Sequence, residues 1–509
     1  MVKIDGNHLK IEDIRFIADF AESIEISSQG KKNILASNKR LGLLSESEKP
    51  IYGINTGFGI FADKRIDPSE SSKLSRNLIL SHAVGTGEML PDRVVRAAMA
   101  IRANTLSKGY SGVRFEIVQT LMAMLNKGVV PLIPSQGSLG SSGDLCQLSH
   151  LSLVFTTDKR DIEQESGQAR YVGRLFSGKQ AMKKAGISRI ILGPKEGLAL
   201  NNGATFSAAI AALTIDEALY YCDLADISLS LSLEALLGCS DAFDARIHLV
   251  RAHRGQKIVS DNVRNLIRKS TFINSTKRVQ DAYSLRCAPQ VHGAVRETIE
   301  NAKQVVEIEI NSATDNPLIF EDGDVLSGGN FHGEPIGLVM DYVGIALSEL
   351  AAISERRVFR LTDGSLNYGL PPMLVDSFEK AGLNSGLMML QYTSASLVLE
   401  NQTLATPDSI HSLPTSGSQE DHNANAMTAA RHAAQILNNV KRILAIELYT
   451  ATRAIDLRKK QQPDLKLGVG TERIYKLIRS KVPYQAGDAF WAPEIDTVVQ
   501  MIEQREIRI

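Results

Sequence analysis

Cysteine is scarce: Cys146, Cys222, Cys239 and Cys287 are the only four in 509 residues. They form no CxxC and no Cys/His zinc spacing, which excludes a disulfide framework and a structural zinc site. A surplus of one charge is also missing, since Lys+Arg and Asp+Glu both total 57. A dedicated nucleic-acid binder would carry a basic excess, and an even balance leaves little self-repulsion to oppose subunit association. No run of about 18 uncharged apolar residues is present to cross a bilayer. The opening MVKIDGNHLK alternates polar and apolar residues without the apolar core of a signal peptide. His248 and His253 are five apart, which does not bring both to one helical face for a metal, and no acidic partner has the usual spacing. No GxGxxG fingerprint stands on a strand–helix turn, and nothing signals pyridoxal phosphate. These absences predict an oligomeric, soluble cytoplasmic protein with reduced thiols, no metal, no external cofactor, and neither nucleic acid nor membrane as partner.

What is present is ordinary globular material, 43% hydrophobic and 22% charged, enough for a large core. Gaps between glycine and proline outline the architecture. Gly203 and Gly238 enclose 34 residues without either; residues 294–316 add 23 more, and residues 418–462 give 45, ending at Pro463. In the last stretch Met427, Ala430, Ala434, Leu437, Val440, Leu444, Leu448 and Ala451 recur at spacings of three and four, one face of a helix. Forty-five helical residues would reach about 68 Å, a length suited to bundles and to packing across subunit boundaries. The first part of the chain reads differently. Shorter helical patterns at residues 93–106 and 113–125 alternate with turns at Gly53, Gly59, Gly85, Gly87, Gly109 and Gly112. The expected boundary lies at residues 193–197, giving a domain over 1–195 and a long-helix domain over 196–509.

The chemistry concentrates in GSLGSSGDLCQLSH, residues 137–150. Glycine and serine fill six of the seven positions 137–143, a composition for mobile backbone rather than helix or strand. The lysine and glycine spacing of a P-loop are missing. One reading is an ordinary loop leading into a helix with Asp144 as N-cap. Another is self-modification. The Gly143 amide nitrogen can attack the Ser141 carbonyl carbon; that oxygen leaves as water and the Ser142 hydroxyl as a second. The product is a five-membered ring with an exocyclic methylidene, a strong electrophile. Only a residue without Cβ bends so tightly at low cost, and Ser142 supplies the β-leaving group.

At these residues the chain resembles the histidine and aromatic amino acid ammonia-lyases, whose prosthetic group, 4-methylidene-imidazol-5-one (MIO), forms in this way. The blocks carrying the resemblance span nearly the whole chain: YGINTGFG from Tyr52, RNLILSHAVGTG from Arg76, FDARIH from Phe243 and VQDAYSLRCAPQV from Val279. SATDNPL from Ser312, SGGNFHGEP from Ser327 and SLPTSGSQEDH from Ser412 follow. The resemblance implies a mainly α, fumarase/aspartase-like fold, with a smaller N-terminal domain holding the MIO loop and a long C-terminal helical bundle. It implies a homotetramer whose active sites are shared between subunits.

It also implies roles. MIO would come from Ser141-Ser142-Gly143, making the electrophile a self-formed one. Tyr52 would remove the substrate β-proton, which requires a phenol that titrates near pH ~10 to be tuned down by its neighbours. Arg286 would hold the substrate carboxylate with its planar fork, beside Tyr283. Asn202 would bind near the ring carbonyl, with Gln280 close to the substrate and Phe331 packed beside the ring. His82, preceded by Ser81, and Glu420 would select an imidazole. The reaction implied is L-histidine to trans-urocanate and ammonia, the first step of histidine degradation. Each residue has a plainer alternative: core packing for Tyr52 and Phe331, a surface ion pair for Arg286, and a surface position for Gln280. Helix capping would serve for Asn201 or Asn202, a satisfied structural histidine for His82, and an N-terminal helix acid for Glu420. Three departures stand out from the family pattern: Ser141 where alanine is usual, DLCQLSH for Asp-Leu-Ala-Pro-Leu-Ala-His, and ALNNGAT for Leu-Leu-Asn-Gly-Thr. Rival readings are a tyrosine or phenylalanine ammonia-lyase or aminomutase on the same scaffold, and a silent helical oligomer in which no ring forms.

Overall fold

The computed structural model describes residues 1–45, 50–57, 59 and 64–509. Phe58, within the YGINTGFG block, lies outside them. Eighteen α-helices dominate the described residues, joined by short two- and three-stranded sheets, so the chain is mainly α as expected. Two compact units are present. The first comprises Met1–Asp216, Ala302–Asp341 and Pro407–Arg431; the second comprises Glu217–Asn301, Tyr342–Thr406 and His432–Ile509. The first thus contains all of residues 1–195 and adds later segments, because four long helices contribute residues to both units.

In the first unit, Ile11–Phe20 buries Ile11, Ile14, Ile17 and Ala18, the one-sided spacing of an amphipathic helix. It packs on Asp92–Ser107. That helix is buried almost all round; its alanines Ala97, Ala98, Ala100 and Ala103 let neighbours approach closely from every side. Leu145–Phe155 is likewise buried on most faces and packs between Ser71–His82 and Glu196–Asn201. The glycine–serine loop is held at both ends. Before it, Pro134–Gln136 pairs antiparallel with Thr86–Met89; after it, Leu145–Phe155 begins.

The second unit draws on the long helices Thr205–Ala235, Ala288–Glu309, Glu334–Thr362 and Ala426–Gln461. Ala426–Gln461 has 36 residues, about 54 Å, rather than 45. Its start is set back because residues before Ala426 are held in a loop: Asn425 has φ 47°, and its amide donates to the Asp408 carbonyl at 3.0 Å and to the His411 carbonyl. Glu447, midway along this helix, is joined to Ser228 and Ser232 of Thr205–Ala235 and to Ser354 and Arg357 of Glu334–Thr362. Glu334–Thr362 is the one described helix long and apolar enough, by length and composition, to cross a membrane. Asp341 and Glu349 interrupt it and 56% of its apolar window is buried. All four cysteines are free.

Candidate active site

The Ser141-Ser142-Gly143 segment sits on a backbone that tolerates no side chain at its last residue. Gly143 has φ +77°, a region open to glycine, and an added Cβ would lie 2.1 Å from the carbonyl carbon of Gly203. The two glycines form a parallel bridge, with the Asp144 amide donating to the Gly203 carbonyl at 2.9 Å. In return, Gly203 N–H donates to the Ser142 carbonyl at 3.2 Å, and Asn202 Nδ2 donates to the same oxygen at 2.9 Å. Two converging donors on one carbonyl oxygen stabilise negative charge developing there. Asn202 is fixed at the C-terminal end of Glu196–Asn201, and its carbonyl accepts from the buried Arg102 at 2.5 Å. Burial holds the Arg102 guanidinium down at about 10.

The hydroxyls of the segment face a carboxylate. Ser142 Oγ donates to Glu420 Oε1 at 2.7 Å and Ser141 Oγ to Glu420 Oε2 at 2.6 Å. The backbone sets this register. Leu139 O accepts from Ala424 and Asn425, Gly140 O accepts from Gly333, and Thr415 and Glu420 pair through both backbone bonds.

These groups open on a cavity of about 1370 Å³ whose lining comes wholly from the first unit. Tyr52, His82, Ser141, Ser142, Asn202, Phe331 and Glu420 all line it; Gly143 lies buried behind it. Tyr52 is set by a turn in which Asn55 Oδ1 accepts from Ile51 N at 2.6 Å, and its hydroxyl accepts from Gly59 N at 3.4 Å. The expected downward tuning of Tyr52 is not found. Burial pushes its phenol up, and the Glu420 charge pushes the same way. His82 ends the Ser71–His82 helix with Ser81 Oγ 3.0 Å from its Nδ1. Burial lowers its pKa, so the ring is neutral at pH 7.

Gln280, Tyr283 and Arg286 do not line this cavity and belong to the second unit. There the Arg286 guanidinium lies 4.6 Å over the Tyr283 ring, a cation–π contact. Its buried Nε–H finds no acceptor among the described residues, and Tyr283 is 70% exposed.

Asp144 precedes its helix as expected but does not cap it. Its carboxylate accepts from Ser207 N and Oγ at 2.8 Å, capping Thr205–Ala235 instead, and from Ser138 Oγ at 2.9 Å. Asn201 caps nothing either: Asn201 Nδ2 donates to Ser149 Oγ at 3.2 Å, both buried. Asn201 and Ser149 are both departures from the family pattern, and here one departure hydrogen-bonds the other. Lys64, Asn77, His332 and His422 also line the cavity, the last two with rings stacked at 5.9 Å. Asn77, His332 and His422 fall within the motif blocks that carry the resemblance, Asn77 on the Ser71–His82 helix, but sequence reasoning assigned them no role; Lys64 lies outside those blocks.

Several known proteins share this arrangement of chain. The family model for aromatic amino acid lyases matches residues 9–480. The histidine ammonia-lyase of Caldanaerobacter subterraneus subsp. tengcongensis is 50% identical over 484 residues, 94% of this chain and 92% of that protein. Among solved structures, the histidine ammonia-lyase of Trypanosoma cruzi superposes with a TM-score of 0.90 at 37% identity, covering 99% of this chain and 94% of that one. The tyrosine aminomutase of Streptomyces globisporus superposes with a TM-score of 0.92 at 34% identity, covering 99% and 97%. A match of this extent, on a chain whose glycine–serine loop faces one large cavity, makes the protein a member of the aromatic amino acid lyase family.

Proposed function

We propose that the chain is a histidine ammonia-lyase, removing ammonia non-oxidatively from L-histidine to give trans-urocanate. The observation that carries this reading is the convergence of Ser141, Ser142, Tyr52, His82, Asn202 and Glu420 on one cavity, in a family whose relatives at 43–50% identity are named histidine ammonia-lyases. The residues present fit an MIO group made from Ser141-Ser142-Gly143. Gly143 has no room for a Cβ, and the Ser142 oxygen, which would become the ring carbonyl, already holds two donors. When formed, MIO supplies an electrophile that turns the substrate amine into a leaving group.

The chain's own residues do the rest. Glu420 accepts the imidazole N–H and the neutral His82 supplies a second polar partner, a pairing that an apolar phenyl ring would leave unsatisfied. Tyr52 Oη takes the β-proton. Raised by burial and by Glu420, it needs an opposite charge nearby, and the substrate ammonium brings one. Asn202 and the Gly203 amide hold charge on the Ser142 oxygen. Arg286, with Tyr283 and Gln280, binds the substrate carboxylate from a neighbouring copy in a homotetramer. Supporting this are the Nε–H of Arg286, which has no acceptor among the described residues, and the exposed apolar Tyr342, Ile345, Tyr392 and Leu399 of the second unit, which want a covering surface. The balanced charge and free thiols suit a soluble cytoplasmic enzyme.

A continuous ultraviolet assay for urocanate with L-histidine, run beside Ser142→Ala, tests the reading. Urocanate from the wild type, collapse in the variant and loss of two waters from the wild-type mass alone are expected. No urocanate would sink it, and a cinnamate from tyrosine or phenylalanine would then favour an aromatic lyase.

A further inference from the structure

Serine at position 141 does something the usual alanine cannot. Before ring closure both oxygens of Glu420 are engaged, Oε1 by the Ser142 hydroxyl at 2.7 Å and Oε2 by the Ser141 hydroxyl at 2.6 Å. Closure removes the Ser142 hydroxyl as water. The ring takes only the carbonyl carbon of Ser141, so that hydroxyl stays, and Ser141 is 6% exposed and cannot swing freely into solvent. We propose that Ser141 is a positioning residue: its hydroxyl keeps Oε2 of Glu420 anchored, so that Oε1, vacated by Ser142, faces the substrate imidazole.

The anchor is built into the backbone. Leu139 O accepts from Ala424 N at 3.2 Å and Asn425 N at 2.8 Å, which fixes the Glu420 loop against the Ser141 loop. The Thr415–Glu420 bridge fixes the carboxylate's own residue. Position 141 therefore meets Glu420 by construction. A carboxylate held by one oxygen presents the other in a fixed direction, whereas an unanchored one must be ordered by the substrate. Because the imidazole rests on Glu420 in the ground state and the transition state alike, the loss falls on KM rather than kcat.

This inference rests on the histidine ammonia-lyase reading. The test is steady-state kinetics with L-histidine on full-length wild type, Ser141→Ala and Ser141→Thr, with intact mass for each. All three are expected to lose two waters. Ser141→Ala should raise KM about tenfold, the scale of one hydrogen bond to a charged group, with kcat within about threefold. Ser141→Thr, which keeps a hydroxyl, should stay within about threefold of wild type. An unchanged KM in Ser141→Ala overturns the proposal. So does failure of that variant to lose water, which would put the hydroxyl's role in ring closure, or a threonine variant as impaired as alanine, which would make the effect one of packing. Wild type without urocanate would instead bring down the functional reading itself, and this inference with it.

Discussion

Glu420 and Glu447 are both carboxylates that accept from serine hydroxyls, yet they stand at opposite ends of what such bonds can do. Glu447, in the second unit, accepts from Ser228 at 2.9 Å, Ser232 at 2.8 Å, Ser354 at 2.6 Å and Arg357 at 2.5 and 2.8 Å. Neither it nor Arg357 is exposed to solvent. Burial alone would raise its pKa, but the Arg357 charge and the hydroxyl donors outweigh burial and hold it below the usual carboxylate range. Glu420, in the first unit, has two serine donors, stands partly open to a cavity, and is due to lose one donor if the ring forms. Saturation makes a carboxylate structural; an unfilled lone pair facing a cavity makes it available for a substrate.

Four substitutions would break or sharpen that contrast. The largest effect belongs to Ser142→Ala, expected to cut turnover by at least ~10³-fold while the unfolding midpoint holds and the mass equals that of its sequence with no water lost. Next is Glu447→Gln, which strands the buried Arg357. Breaking such a pair costs about 3–5 kcal/mol, so urea denaturation at fixed protein concentration should reveal a large loss of stability. If Glu447→Gln were as stable as wild type, the saturated network would not be what holds the long helices together.

Glu420→Gln should do the reverse, lowering kcat/KM for histidine by about 10–100-fold, as for one charge-assisted hydrogen bond, while stability moves by less than about 1 kcal/mol. A Glu420→Gln protein that unfolds readily would make the two carboxylates alike. The smallest effect concerns Glu234, also in the second unit, buried with its Oε1 accepting from Gly468 N and with the Ser270 and Thr471 hydroxyls as neutral side-chain donors. Burial raises it to about 7. Folded, it keeps its proton up to about pH 7; unfolded, it releases it near 4.5. The folded state therefore binds more protons between those values, and its contribution to stability falls as pH rises through that window. Glu234→Gln should flatten the fall, raising stability at pH 8 and changing it little at pH 4.5, as read from urea midpoints across that range. Glu234 has only neutral donors and no close ion pair, whereas Glu447 has Arg357; the cation is what keeps a buried carboxylate ionised.

Helices declared themselves in the sequence where burial is one-sided or breakers are absent. The three-and-four spacing from Met427 to Ala451 falls inside Ala426–Gln461, and residues 93–106 fall inside Asp92–Ser107. The start of the longest helix was illegible because no glycine or proline stops it. Side-chain bonds do so instead: Asn423 Oδ1 accepts from Leu413 N, and the Asn425 amide reaches Asp408. The same blindness hid the true partner of Asp144, a residue 63 positions away. Within the site, motif blocks pointed to Tyr52, His82, Ser141, Ser142, Asn202, Phe331 and Glu420, which share one cavity. They equally named Gln280, Tyr283 and Arg286, which do not line it. A block of residues conveys chemistry but not which surface it is folded onto. Nor could it convey that burial pushes the Tyr52 phenol up, since that depends on neighbours distant in the chain.

The donors that grip the Ser142 carbonyl lie about sixty residues further along, at Asn202 and Gly203. An unfolded or misfolded chain cannot bring them there. If the ring closes only in that grip, each molecule records its own folding history in its mass, and a preparation that is part mature and part not would appear as two species separated by two waters. Mass spectrometry of a freshly made sample would then count correctly folded chains before any substrate is added.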